Sequence, residues 1–373
     1  MRILTVCTSR ARGGMEMSFV RNSVRLRERG HTVLPVCGPG SAGLASLATE
    51  GFAPVVADLW GKFHPRESWR LGSLIASHAI EVVHCDWSRD LFTLVPALAR
   101  SPHVPLVLQK HVGVLAPKRL WVHYAMYRRV DKVIAISDVI RANFVAMHPI
   151  APAKVTRIHN GIDPVRFRPD AAVRARTRAA LGLEPDHVVV GIVGRVTRAK
   201  GHLEFLEMAA HLAPRFPEAR FLVIGEATRG EEDEGAEILA RVEDARLRER
   251  VIVTGFRDDV PDLLTALDVF AFPSHAEAFG LALIEAMSAG LPTVSANCDG
   301  LLDIVEEGHT GFMVPPRDWE ALAAATSTLM CDASLRTRMG QAGRQRVLAR
   351  FTEERMYGAI EDLYREAISA RRR

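Results

Sequence analysis

Two carboxylates, Glu277 and Glu285, bracket the most informative stretch of the sequence, EAFGLALIE. Phe272-Pro273-Ser274 closes an apolar run. Ala278-Phe279-Gly280 then opens a helical pattern that stops at Gly290, glycine being favoured just past a helix end. The first amides of a helix have no partner inside it. The N–H groups of Phe279, Gly280 and Leu281 would therefore point at an anion, helped by the helix dipole. Gly280 lets the backbone approach such a ligand closely. Glu285 falls roughly one turn inside the helix, at 3.6 residues per turn. Ionised carboxylates accept two or more hydrogen bonds, so each acid suits the vicinal hydroxyls of a sugar ring. One ring would carry the group to be moved and the other would be a ribose. Singly, Glu285 is an ordinary helix-start acid and Glu277 an ordinary loop acid. Their combination around a phosphate-ready helix start is the informative feature.

A second set of residues suits a diphosphate. Arg195 and Lys200 lie in GRVTRAKG, after an apolar run and before a helical one. Arginine offers a planar fork of donors and lysine a mobile point charge. Both would stabilise negative charge growing on a departing group. Gly194-Arg195, Gly225-Glu226, Gly255-Phe256-Arg257 and Ser274–Gly280 each follow a different apolar run. In an open parallel sheet, ligands bind beyond the carboxyl ends of the strands, and these four segments share that edge.

The elements that must position them are short β-rich runs alternating with helical patterns. In the first half the runs are Arg2–Cys7, Thr32–Cys37, Val82–Cys85, Leu106–Gln109, Lys132–Ile136 and Val155–Ile158. In the second they are Val188–Val193, Arg220–Ile224, Val251–Val253, Val269–Phe272, Thr293–Ser295 and Gly311–Val314. Most are continuously apolar, as strands buried on both faces of a parallel sheet are. The alternation predicts two doubly wound, Rossmann-like α/β domains. The turn-rich segment Asn160–Asp170 marks the boundary. The expected domains are residues 1–168, with a returning helix at about 354–373, and residues 169–353.

Composition is that of an ordinary globular chain: 373 residues, 48% hydrophobic and 25% charged. No apolar run reaches membrane-spanning length, and the opening MRILTVCTSR reads as a buried strand, not a signal peptide. The cysteines are five, scattered, with no CxxC spacing, which suggests neither a zinc site nor a disulfide framework and fits a reducing cytosol. Met1–Asp170 holds 23 basic against 12 acidic residues, and the remainder 25 against 32. A basic first half could face an anionic acceptor or lipid surface, or be merely solvated. No nucleic-acid partner is expected.

These residues resemble the retaining glycosyltransferases of family four, which have the GT-B fold. The resemblance rests on the glutamate pair Glu277 and Glu285, on the following AMSAGLPTVSANCDGLLDIVEEGHTGFMVPPRD, on Gly194-Arg195 and Lys200-Gly201, and on NGID at Asn160–Asp163. It implies two Rossmann-like domains facing a cleft, with the last helix crossing back to the first. It also implies a role for each matching position. Arg195 and Lys200 would bind the donor diphosphate, and Glu277 the donor sugar. Phe279, Gly280 and Leu281 would supply backbone donors, and Glu285 would hold the ribose. The turn near Arg257 would meet the base mainly through backbone atoms.

In the first half, Gly13-Gly14 opens a helix near Glu16 and lacks the full GxGxxG fingerprint, so a dinucleotide fold is not indicated. Gly14 would let backbone approach the donor phosphate. Arg10 and Arg12 flank it and could meet an anionic acceptor or simply face water. His111 closes the run Leu106–Gln109, where the family carries a histidine facing the donor sugar, and it joins Glu277 as a candidate catalytic residue. His84 precedes Cys85-Asp86 where relatives often show a second histidine. The segment Lys118–Lys132 is basic and aromatic, with Trp121, Tyr124 and Arg128 at helical spacing. Such a helix can lie on an anionic lipid surface or pack its aromatics into a core.

The expected reaction moves a sugar from a nucleoside diphosphate to a glycan or glycolipid hydroxyl, in cell-envelope or lipopolysaccharide synthesis, at the cytoplasmic side of the membrane. Retention is implied by the family alone. No DxD triplet occurs, and Glu231–Glu234 reads as an acidic loop, so no cofactor and no obligatory metal are expected. The competing readings are a sugar-nucleotide epimerase on a similar fold and a non-catalytic nucleotide-binding module. A nicotinamide oxidoreductase fits worst, for want of the glycine fingerprint.

Overall fold

The continuously apolar runs become strands because only a sheet covered on both faces hides them. The computed structural model describes residues 1–11, 13–59, 64–227, 230–243 and 247–372. The strands are β1 (Arg2–Cys7), β2 (Thr32–Cys37), β3 (Val55–Val56), β4 (Val82–Cys85), β5 (Leu106–Lys110), β6 (Lys132–Ala135) and β7 (Val155–Arg157), then β8 (Val188–Val193), β9 (Ala219–Ile224), β10 (Val251–Val253), β11 (Val269–Phe272), β12 (Thr293–Ala296) and β13 (Gly311–Val314). The first seven form one sheet in the order β3-β2-β1-β4-β5-β6-β7, and the other six a second in the order β10-β9-β8-β11-β12-β13. Every named pairing is parallel. Both sheets are doubly wound, as expected. Strand order reverses between β1 and β4 in one and between β8 and β11 in the other, the places where such sheets take their ligands.

Two compact units result: Met1–His159 with Met356–Arg373, and Asn160–Arg355. The turn-rich segment after His159 groups with the second unit because it is tied there. Ile162 donates its N–H to Phe351 and accepts from Glu353, each at 2.9 Å. A Cβ on Gly161 would sit 2.4 Å from the Thr352 carbonyl oxygen. The Phe167 carbonyl takes the Ser288 hydroxyl at 2.6 Å.

The last helix, Glu353–Arg372, completes the first unit. Met356, Tyr357, Ile360, Leu363 and Tyr364 are buried in one cluster with Ile3, Val82, Val107 and Ile134 of four strands. Five such side chains contribute on the order of 10 kcal/mol of burial. Among the described residues no helix is long and apolar enough to cross a membrane.

Candidate active site

At the β8/β11 switch, close backbone packing sets the positions of the side chains. Gly225 has φ +138°, and a Cβ on it would lie 1.9 Å from the Gly194 carbonyl oxygen. Its N–H meets the Gly255 carbonyl at 3.1 Å. The ends of β8, β9 and β10 are thus drawn together through three glycines. After β8 the chain makes a short turn, Arg198–Lys200, ending at Gly201 with φ +78°. A Cβ there would be 2.2 Å from the Pro273 carbonyl oxygen. Only glycine lets this turn rest against the end of β11.

That close approach joins two predicted residues. The Lys200 ammonium donates to Oε2 of Glu277, and the Ser274 hydroxyl approaches the same oxygen at 3.5 Å. The Glu277 backbone is held on both sides: its N–H donates to Asp299 at 3.2 Å, and its carbonyl accepts from Gly300 at 2.9 Å. The helix that follows is Leu281–Ser288, with Gly280 capping it at φ +108°. It starts later than the sequence pattern suggested, because the Phe279 side chain is buried against Phe351, ring centroids 6.0 Å apart. The first helical bond runs from Ile284 N–H to the Gly280 carbonyl at 3.3 Å. The amides of Gly280 and Leu281 precede it, and Glu285 is half-buried just past the first turn.

Arg195 and Arg257 are placed differently. Arg195 pairs with Glu231 at 2.7 Å, and about half of its side chain is exposed. Arg257 makes two bonds to Asp259 of its own turn, at 2.7 and 2.5 Å. The acidic run read as a loop begins the helix Glu232–Ala240, its carboxylates favoured by the dipole at a helix start. Glu234 accepts the Arg198 N–H at 2.9 Å.

In the first unit the β1/β4 switch gathers another set. The helix Gly14–Glu28 starts at Gly14, ahead of Glu16. Glu16 is buried and accepts from the Gly13 N–H at 3.0 Å and from the Ser9 hydroxyl. It reaches back to hold the loop that launches its own helix. Among the described residues, leaving aside its chain neighbours and its own helix backbone, nothing lies within 4 Å of a Cβ built on Gly14. Arg10 pairs with Asp58 at 3.2 Å. Arg12 lies outside the described residues.

His111, one residue past β5, places Nε2 2.9 Å from Oδ1 of the buried Asp86. Burial works to raise the Asp86 pKa, but His84 and His111 more than offset it, so the group lies below its ordinary value. Close by in the same switch, Asp90 accepts the Thr8 N–H at 3.0 Å and the Thr8 hydroxyl at 2.5 Å. Burial, aided by the Asp86 charge, still pushes Asp90 up to about 7. Neither aspartate was singled out in the sequence. Their signal was an acid directly after the apolar run VVHC and another four residues on, at the edge where the other candidates fall.

The basic aromatic segment forms the shorter helix Trp121–Arg129. Its buried residues are Met126 and Tyr127, while Trp121 is 82% exposed and Tyr124 55%. Leu115 and Leu120 just before them are exposed as well. The aromatic face therefore does not pack into a core. Among the described residues no group of three or more His, Cys, Asp and Glu gathers as a metal site would.

Residues 12–166 match the family model Glycosyltransferase Family 4, and residues 173–346 match Glycosyl transferases group 1. The chain belongs to the family 4 type of glycosyltransferases. It is 31% identical over 251 residues to a D-inositol 3-phosphate glycosyltransferase of Saccharomonospora viridis, a match covering 64% of this chain and 56% of that relative. It is 31% identical over 241 residues to the lipopolysaccharide core biosynthesis mannosyltransferase LpsB of Rhizobium meliloti, covering 64% of this chain and 66% of LpsB. The matches thus span between half and two thirds of these relatives' lengths. The solved structure of Anabaena HepE in complex with UDP and glucose superposes with a TM-score of 0.81 at 24% identity, over 97% of this chain and 98% of HepE. That likeness is one of fold, and the fold of this glycosyltransferase is GT-B.

Proposed function

We propose that this glycosyltransferase moves a sugar from a nucleoside diphosphate to an acceptor hydroxyl, with retained anomeric configuration. The observation that carries the reading is the Lys200–Glu277 pair beside the Gly280 helix start, at the β8/β11 switch. A diphosphate would take the amides of Gly280 and Leu281 with that of Phe279, and the Lys200 and Arg195 cations, while Glu277 accepts from hydroxyls of the transferred sugar. Glu285 would hold the ribose, and the backbone of the turn at Arg257 the base. Gly14 would let the backbone approach the donor phosphate, with no described residue outside its own helix crowding its Cβ position. His111 would accept a hydrogen bond from a substrate hydroxyl.

In the chemical step the bond from the anomeric carbon to the diphosphate oxygen breaks, and a bond to the acceptor oxygen forms on the same face. The acceptor proton passes to the leaving diphosphate. Cations and helix amides favour this step because they meet charge that grows on the leaving group. We read the reaction as needing no metal. The acceptor is a glycan or glycolipid of the cell envelope. Supporting this are the basic first half, the exposed Leu115, Leu120, Trp121 and Tyr124 beside Arg128, and the likeness to LpsB. On this reading the protein works at the cytoplasmic face of the membrane, touching anionic lipid peripherally.

The test is a panel of nucleotide sugars, with and without lipid-linked acceptors, followed by release of nucleoside diphosphate and repeated with a chelator. Acceptor-dependent release that survives chelation is expected. Conversion of the donor with no acceptor present would point to an epimerase instead. Silence across the whole panel would leave a non-catalytic nucleotide binder. Activity lost to chelator and restored by manganese would overturn the metal-free reading.

A further inference from the structure

Behind His111 a line of buried polar groups runs from the last helix to the sheet edge. Tyr364 stands on the helix Glu353–Arg372, fully buried, with its hydroxyl 2.6 Å from Nδ1 of His84. The two rings meet edge to face, centroids 5.8 Å apart. His84 belongs to β4, and its other nitrogen, Nε2, lies 3.7 Å from Oδ2 of Asp86. Neither Nε2 of His84 nor Oδ2 of Asp86 has a hydrogen-bond partner among the described residues. Oδ1 of the same carboxylate is 2.9 Å from Nε2 of His111.

The proton positions follow from what buried polar atoms tolerate. A nitrogen lone pair facing a carboxylate oxygen is repelled, whereas an N–H facing it is attracted. His84 Nε2 therefore carries the proton, and Nδ1 accepts from the Tyr364 hydroxyl. A small approach would turn the 3.7 Å gap into a full bond between two groups that otherwise have none. The same reasoning puts a proton on Nε2 of His111. Each oxygen of the one carboxylate thus faces a different histidine.

We infer that Asp86 is a positioning residue. It fixes His111 as the Nε2–H tautomer, so that Nδ1 is the nitrogen left to accept from a substrate hydroxyl, and His84 with Tyr364 holds Asp86 in place. A second buried side chain that only orients a histidine is a recurrent device, since the wrong tautomer presents a donor where an acceptor is needed. The catalytic consequence rests on the transfer reading above; the tautomer does not.

The test uses the full chain labelled with 15N-histidine, with the His111 signals assigned through His111→Gln. The wild-type protein should show the neutral Nε2–H pattern for His111. Asp86→Asn should shift that pattern toward the other tautomer and lower kcat by as much as about 10⁴-fold, with KM changed far less. Tyr364→Phe, which removes one hydroxyl, should lower kcat about fivefold, as loss of one hydrogen bond of about 1 kcal/mol would. A wild-type His111 protonated on Nδ1 overturns the inference without any variant being made. So does an Asp86→Asn protein whose His111 pattern is unchanged. If no donor is ever turned over, the spectrum still decides the tautomer, and only the transfer reading falls.

Discussion

Lys200 donates to Glu277 across 77 residues of sequence, joining the turn after β8 to the loop after β11. Both side chains are mostly shielded from water, at 24% and 18% exposure, so each depends on the other for compensation. Glu277→Gln keeps the shape and removes the charge. It should lower kcat/KM roughly 10²–10³-fold, the range seen when one preorganised electrostatic contact is lost. Lys200→Ala leaves a shielded carboxylate unpaired and should also destabilise the protein by about 1–3 kcal/mol. The double variant should be little worse than the poorer single one, because the two act as a unit. Strict additivity in a steady-state cycle would refute the coupling.

Arg195 makes a different prediction, since its pairing with Glu231 is exposed. Such a pair is worth about 0–1 kcal/mol. Arg195→Ala should therefore leave the melting temperature almost unmoved while raising the donor KM about tenfold or more, a loss of about 1.4 kcal/mol. Arg195→Lys should recover only part of this, because lysine lacks the planar fork. A lowered melting temperature with unchanged KM would make Arg195 structural.

Asp90 sets a pH dependence of stability. Its pKa is pushed up to about 7 in the folded protein, from 3.8 ordinarily. Between those values the folded state keeps a proton that the unfolded state has lost. Stability therefore falls as pH rises from about 4 to about 7, by up to ~4 kcal/mol, and is then flat. Asp90→Asn should keep partners for both Thr8 groups and remove this slope, gaining on wild type above pH 7. Denaturant unfolding at pH 5 and pH 8 would reveal it. A variant with the wild-type slope would show that Asp90 ionises normally.

The exposed Trp121 and Tyr124 predict lipid contact. The protein should sediment with vesicles containing anionic phospholipid at low salt and be released as salt screens the basic residues. Trp121→Ala with Tyr124→Ala should weaken binding about tenfold or more, given the large apolar area of each ring. Equal binding to neutral vesicles, or none to either kind, would rule this surface out.

How much of this was legible in the sequence depended on the range of the interactions. Val188–Val193 and Val269–Phe272 could be read because a doubly covered strand must be apolar throughout. Val55–Val56 was missed: two residues carry no periodicity. Glu277 and Lys200 were visible through local patterns, but not their pairing, which needs Gly201 to press against Pro273. The cluster at Asp86 was illegible because its members come from β4, the end of β5 and the last helix, with Tyr364 separated from His84 by 280 positions. The late start at Leu281 turned on Phe279 choosing the core beside Phe351.

The last helix has a consequence for how the molecule is made. The ribosome completes all seven strands of the first sheet by Arg157, yet Met356, Tyr357, Ile360, Leu363 and Tyr364 cover part of it only after the whole second unit has been synthesised. Through that interval Ile3, Val82, Val107 and Ile134 lack their final cover. A growing chain with such a face open invites chaperones or aggregation. The unit begun first is finished last, so the order of maturation inverts the order of translation.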